Sequence, residues 1–375
     1  MNQYRIAIIG LGVMGSHHAE AVNGLPFCEL IAGAEVDPQR AQAWGASFGA
    51  ATYDDYEQML DETKPDIVII CTQAPLHHAP TLAAAERGIH VFCEKPIALD
   101  LLQADEMVAT CERYDVRFAI NHVKRGSPYN DHVLDRIAAG DIGQLVRLRA
   151  FDKGGRFAGN SLMEIGTHLY DWTRLFGGDV EWLHAHLVQA NGRESTVADI
   201  KHTQEVDPKD RDAGLVLGER CFSQIRFAGG VHAEVEFIAQ EKVNDKNYGI
   251  DLIGTEGRIA LRGTVGTTMF IHDGAHHPPD EPWQRVQLDA EDLDENGAPR
   301  DGESIRLLLQ RRMLGDLLEA IETNRQPRAS GRDGRASLEM IQATWESHRL
   351  RRRVPLPLSP RQHPLERWRQ DSGDR

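Results

Sequence analysis

The stretch from Arg5 to Gly15 constrains this chain more than any other. Arg5-Ile6-Ala7-Ile8-Ile9 is a short β-branched run that ends in glycine, and Gly10-Leu11-Gly12-Val13-Met14-Gly15 follows with G-x-G-x-x-G spacing. A helix-compatible segment then runs from about Met14 to Asn23. Gly10 permits a tight turn, Gly12 lets backbone approach a phosphate, and Gly15 allows close helix–strand packing. The helix start, with Val13 and Met14, offers N–H groups and the positive end of the dipole to an anion. Such a motif alone is weak, and an ordinary glycine turn is its bland alternative. Here a second strand, Glu29 to Ala34, ends at Glu35, about 20 residues beyond Gly15, where an acid would hold a ribose. A carboxylate at that place accepts ribose hydroxyls and repels a 2′-phosphate, and Val36 rather than Arg follows it. The pattern therefore points to NAD, with NADP less favoured; Arg40, one helical turn on, is the counterweight.

Further along, apolar runs alternate with helical segments. Pro38 to Phe48 reads as a helix, Asp66 to Cys71 as a strand buried on both faces, His78 to Arg87 as a helix, and Ile89 to Cys93 as a strand. Leu99 to Tyr114 is helical and Val116 to Asn121 a strand. Such alternation predicts an open parallel sheet. After about residue 122 the pattern changes. Helices over Tyr129–Ala139 and Leu162–Leu175 flank a strand at Leu145–Phe151, and six further strand candidates lie between Glu181 and Ile271. Turns such as Ala228-Gly229-Gly230 suggest antiparallel pairing. Two helices, Ser304–Asn324 and Ala336–Leu350, precede a Pro- and Arg-rich tail expected to be irregular. The fold class is α/β: an N-terminal Rossmann doubly wound parallel sheet over residues 1–123, and an α+β domain with an open, mostly antiparallel sheet over 124–354. A C-terminal tail covers 355–375.

The chain has 375 residues and a formal net charge of −15, which argues against a nucleic-acid surface. Its five cysteines show no CxxC pair, as in a reduced, cytoplasmic protein. No run is long and apolar enough for a membrane span, so no membrane partner is expected.

The motifs together resemble the Gfo/Idh/MocA family, named for glucose–fructose oxidoreductase and inositol dehydrogenase. Glu94-Lys95-Pro96 looks like the family's EKP signature at a strand end. Cys71-Thr72-Gln73-Ala74-Pro75-Leu76-His77 resembles the loop beside the nicotinamide ribose. Asn121 to Pro128 resembles the crossing into the second domain, and Asn160 to Asp171 the catalytic helix. The resemblance spans about residues 4 to 358. It implies cofactor contacts from Thr72, Gln73, His77, Glu94 and Lys95 besides the glycine loop, no metal, a small carbohydrate substrate and a homo-oligomer, dimer or tetramer, often built on the open sheet.

Removing a hydride from an alcohol carbon requires loss of the hydroxyl proton. His168 is the natural base, since imidazole titrates near neutrality, and Lys95 can stabilise the oxygen's developing charge. Family analogy gives both positions these roles. Glu164, His168 and Asp171 fall on one helical face. Glu164 stands where many relatives carry Asp, so it either touches substrate or orients His168; a solvated helix face is the bland alternative. His17, His18, His276 and His277 read as exposed polar residues, and Trp172 and Phe176 as core. Lys124, Arg125, Lys153 and Arg156 form a basic set in an acidic protein, with Lys95 near them by analogy. Arg125, Lys153 and Arg156 are thus candidate substrate contacts for an anionic group, against the simpler reading of solvated or internally paired cations. The function expected is an NAD(H)-dependent oxidoreductase acting on a sugar, polyol, inositol or sugar derivative. Two alternatives remain at this stage: an NAD-dependent glycoside hydrolase working by transient ring oxidation, and a non-catalytic NAD-binding regulator.

Overall fold

The computed structural model describes residues 3–152, 159–206, 212–238, 247–274 and 281–373. The chain divides into two units. One comprises Met1–Gly126 with Arg306–Arg335, the other Ser127–Ile305 with Ala336–Arg375.

The first unit alternates β1 (Tyr4–Ile9), α1 (Val13–Asn23), β2 (Cys28–Ala34), α2 (Pro38–Phe48), β3 (Ala51–Tyr53), α3 (Tyr56–Thr63), β4 (Ile67–Ile70), α4 (His78–Glu86), β5 (His90–Cys93), α5 (Leu101–Arg113) and β6 (Phe118–Ile120). All pairs in its six-stranded sheet are parallel, in the order β3-β2-β1-β4-β5-β6. Every residue of β4 is buried, because helices cover both faces of a parallel sheet. Ile6, Ile8, Ile67, Ile69 and Phe92 share a core with Ala19 and Val22 of α1; each large side chain there contributes roughly 1.5–3 kcal/mol by burial. Strand order reverses between β1 and β4, the switch point where ligands of such sheets bind. β3 and α3 went unread in the sequence, since three residues are too few to show a period. α3 is set instead by Asp55, whose carboxylate accepts N–H bonds from Glu57 and Gln58.

The second unit holds α6 (Pro128–Ala139), β7 (Leu145–Asp152), α7 (Asn160–Glu164), α8 (Gly166–Gly177), β8 (Val180–Val188), β9 (Lys201–His202), α9 (Thr203–Val206), β10 (Leu215–Val216), β11 (Arg220–Phe227), β12 (His232–Ile238), β13 (Tyr248–Gly254), β14 (Gly257–Arg262), β15 (Thr268–Asp273), β16 (Gln284–Val286) and α10 (Asp289–Asp292). The long helices α11 (Gly302–Glu322) and α12 (Gly331–Leu350) follow, then β17 (Val354–Pro355) and α13 (Pro364–Asp371). Nine strands form one sheet in the order β16-β15-β14-β13-β7-β12-β11-β8-β17. Only β7 and β12 pair in parallel; every other neighbour is antiparallel. Residues alternate strictly along β11, with Cys221, Ser223, Ile225 and Phe227 buried. The buried face meets α8 and the later turns of α12, where the Tyr170 hydroxyl bonds Ser223 and Thr344. Phe222 and Gln224 stand on the opposite face, exposed among the described residues.

Two segments differ from the sequence reading. Residues 306–335 belong with the first unit, although they lie far beyond residue 123. The Ile120 N–H donates to the Ala329 carbonyl, and the Arg125 guanidinium to that of Arg328. Nothing local announces such a return of the chain. The tail, expected to be irregular, carries α13. Its first turn is capped by the His363 ring, which accepts the Leu365 N–H, and Arg367 shares Glu346 with Arg349.

Candidate active site

The glycine loop separates into structural and receptive positions. Gly10 has φ +88°, and a Cβ there would lie 2.8 Å from the Thr72 nitrogen. A Cβ on Gly15 would meet the Gly10 carbonyl at 2.2 Å. Both are demanded by the fold itself. A Cβ on Gly12 would meet nothing within 4 Å, so only an incoming group gives a reason for glycine there. Gly12 is also the N-cap of α1, with no side-chain cap and no acid in the first turn; Val13 and Met14 open that turn, leaving its N–H groups for an anion.

Glu35, at the end of β2, turns back to this loop. Its Oε2 accepts from the Leu11 N–H at 3.1 Å and from Arg40 Nη1 at 3.1 Å, and its Oε1 from the Asp37 N–H at 3.2 Å. The carboxylate is thus fixed at the strand end beside the glycine loop, with Arg40 bonded to it.

The turn after β5 is built on a buried polar cluster. His18 Nε2 and Asn121 Nδ2 both donate to Glu94 Oε1, at 2.8 and 2.7 Å, and the Lys95 backbone N–H donates to Glu94 Oε2 at 3.3 Å. Burial by itself would raise the Glu94 carboxyl. The His18 hydrogen bond and charge, then Asn121 and Lys95, outweigh burial and hold it down to about 2. His18, expected on the surface, is 1% exposed; only its place one helical turn past the glycine loop, facing a strand end, could have flagged it. Since the Asn121 amide nitrogen serves Glu94, its Oδ1 is left buried without a hydrogen bond. That orphaned acceptor, the open space at Gly12 and the Glu35 carboxylate fit a dinucleotide.

His77 lies inside the fold. Its ring is buried, with Nδ1 2.9 Å from the Pro96 carbonyl and Nε2 3.1 Å from that of Thr72. Burial lowers the ring's pKa, so it is neutral and its single N–H donates to one of these two carbonyls, beside the loops after β4 and β5. Gln73 is exposed and Thr72 half-buried beside it. Lys95 is half-buried.

In the second unit the expected continuous catalytic helix is broken. α7 ends at Glu164, Ile165 has φ −107°, and α8 begins at Gly166. A Cβ on Gly166 would lie 3.2 Å from the Phe237 ring and 3.3 Å from the Ser161 carbonyl, so tight packing against β12 sets the break. Glu164 is therefore a buried C-terminal residue of one helix, and the half-buried His168 lies in the first turn of the next. His168 and Asp171 keep a shared face of α8, while Glu164 belongs to the preceding helix. Trp172 and Phe176 are core, as expected, and Trp172 stacks on Tyr248 with ring centroids 6.1 Å apart. Burial, then Asp152 and Asp171, push the Tyr248 hydroxyl upward. Tyr248 thus borders the buried acids of this region, which its place in a strand did not reveal.

The basic set fares differently. Arg125 donates to the Arg328 carbonyl at 2.6 Å and to Asp333 at 3.3 Å, within the first unit. Its guanidinium is 9% exposed, and these bonds fasten the connection between α11 and α12. Lys124 is buried as well. Lys153, Arg156, His276 and His277 lie outside the described residues. Among the described residues, His186, Glu194 and His348 form one cluster with metal-ligand chemistry. His348, however, accepts the Leu187 N–H at Nδ1 and bonds the Ser195 carbonyl through Nε2, and Glu194 pairs with Arg351.

Comparison with known proteins agrees with this geometry. Residues 4–122 match the NAD-binding Rossmann fold of the Gfo/Idh/MocA oxidoreductase family, and residues 139–356 match that family's C-terminal alpha/beta domain. D-apiose dehydrogenase of Paraburkholderia graminis is 27% identical over 95% of this chain and 90% of its own. Myo-inositol 2-dehydrogenase of Thermotoga maritima is 25% identical over 72% of this chain and 78% of its own. The structure of a levoglucosan dehydrogenase with NADH and levoglucosan superposes with a TM-score of 0.76 at 20% identity, covering 95% and 100% of the two chains. An NAD-binding oxidoreductase is thus the class that fold and site define. This chain belongs to the Gfo/Idh/MocA oxidoreductase family.

Proposed function

We propose that the protein is an NAD-dependent dehydrogenase of a sugar or polyol. The observation that carries the reading is the strand-end rim of the first unit: a receptive Gly12, a fixed Glu35 and a braced Lys95 at the ends of β1, β2 and β5. Relatives named for apiose, inositol and levoglucosan support a polyhydroxylated substrate. NAD, when bound, supplies two-electron redox chemistry. The start of α1 would hold the pyrophosphate, and Glu35 the adenosine ribose. The Lys95 ammonium hydrogen-bonds the reacting oxygen and stabilises its negative charge. The His168 imidazole takes the hydroxyl proton, and Glu164, across the helix break, orients that ring. The exposed face of the nine-stranded sheet, with Phe222 42% exposed, serves as a subunit interface between copies of the chain.

The test is a screen of sugars, polyols, sugar acids and glycosides with NAD and NADP, reading NADH absorbance and products together. NAD-dependent oxidation of a free sugar or polyol is expected. Release of an aglycone without NADH accumulation would replace this reading by the glycoside-cleaving one.

A further inference from the structure

Glu94, His18 and Asn121 are buried, polar and joined, yet none is needed as an acid, base or nucleophile in the reaction above. A buried carboxylate is costly unless it is fully hydrogen-bonded. Glu94 is 3% exposed, His18 1% and Asn121 3%. The carboxylate can only accept, so the His18 ring N–H and the Asn121 amide N–H must both donate to Oε1. Each partner comes from a different element: His18 from α1, just past the glycine loop, and Asn121 from the end of β6. The His18 ring also packs edge-on against Phe92 of β5, with centroids 5.5 Å apart, which limits its rotation. On the other side, Oε2 receives the backbone N–H of Lys95. The charged and titratable groups facing Glu94 are His18 from α1, His77 from the start of α4, Cys93 of β5 and Lys95 of the turn.

We propose that His18 is a positioning residue for Lys95. It holds Glu94 as an oriented carboxylate, and Glu94 fixes the turn that presents the lysine, so that the glycine-rich helix and the lysine turn move as one piece. The inference rests on Lys95 acting on the substrate oxygen, as proposed above. A brace of this kind matters because a catalytic group displaced by about 1 Å loses on the order of 100-fold in rate. It also accounts for a histidine in the interior of α1, where an apolar residue would pack without a polar debt.

The experiment uses the full chain with His18→Ala, His18→Gln and Glu94→Gln. His18→Ala should lower kcat roughly 10- to 100-fold, while the NAD dissociation constant from calorimetry changes less than about threefold, since the phosphate-binding N–H groups are untouched. His18→Gln places an amide N–H near the former Nε2 and should recover most of the loss. Glu94→Gln keeps the shape but removes the charge and should resemble His18→Ala. A second readout needs neither substrate nor cofactor. Infrared difference spectra of His18→Ala near pH 5 should show a protonated-carboxyl stretch, missing in wild type and abolished by adding Glu94→Gln. A His18→Ala enzyme with wild-type kcat overturns the proposal. So does parallel loss of kcat, NAD affinity and thermal midpoint that His18→Gln does not repair. Should no sugar be turned over at all, the infrared band still decides whether His18 holds Glu94 charged, and its absence removes the brace independently of the redox reading.

Discussion

β4 and β11 show how differently the two units use a sheet. All four residues of β4 are buried, so its sequence is simply apolar and carries no face. β11 alternates, with one edge of side chains in the core and Phe222 and Gln224 outside. In the parallel sheet the side chains are committed to packing, and chemistry is left to the strand ends, where Gly10, Glu35, Glu94 and Asn121 sit. In the antiparallel sheet one face is covered by α8 and α12 and the other is left exposed at Phe222 and Gln224, and the proposed base His168 lies on α8. On the proposed reading, function is concentrated in turns in the first unit and beside a helix break in the second.

The sharpest way to test that division is to remove one group from each unit. Lys95→Ala and His168→Ala should each cut turnover by about 100-fold or more, with NAD binding retained by calorimetry. Near-normal turnover in the His168 variant would confine the chemistry to the first unit.

Acid should also distinguish the units. Burial, then the charge of Arg367, push His363 down to about 4. The unfolded ring binds a proton below about 6.5 while the folded one does not, so stability is complete above that pH and falls as pH drops from 6.5 toward 4. The loss is roughly 3 kcal/mol, and protonation also removes the Nδ1 lone pair that caps α13. For Glu94 the folded pKa lies below the unfolded one, so its contribution is present above about 4.5 and is lost only as pH falls toward 2. Tryptophan fluorescence from Trp345 and Trp368 should change at a higher pH than that from Trp44. His363→Asn, which keeps an acceptor at the cap, should flatten the first transition; simultaneous changes at all three tryptophans would erase the contrast.

Within the glycine loop the comparison becomes finer. Gly15→Ala should cost about 1–3 kcal/mol by forced backbone movement, measured by denaturant unfolding. Gly12→Ala should leave stability nearly unchanged and weaken NAD binding. Equal effects in both assays would mean that the loop is not divided into structural and receptive glycines. Smaller still, Glu35→Ser should narrow the NAD preference over NADP severalfold by removing the repelling charge, and Phe222→Glu should shift light-scattering mass toward the monomer if the open sheet face is the interface.

The sequence was informative wherever a local rule had to be obeyed. The glycine loop, the acid ending β2, the parallel alternation of the first unit and the core position of Trp172 all follow from steric, dipolar or periodic constraints acting within a few residues. The roles of Lys95 and His168 rest on the family resemblance and stay a proposal. Tertiary structure alone decided the rest. It turned His18 inward onto Glu94, set His77 between the Pro96 and Thr72 carbonyls, spent Arg125 on the Arg328 carbonyl and Asp333, broke the helix at Ile165 against Phe237, and returned residues 306–335 to the first unit. For His18, His77 and Arg125 the reason is the same. A polar side chain's role depends on which partner satisfies its donors and acceptors once water is excluded. The partner lies 76 residues away for His18, 19 for the Pro96 carbonyl beside His77, and 203 and 208 for Arg125, separations no local pattern in the chain can encode.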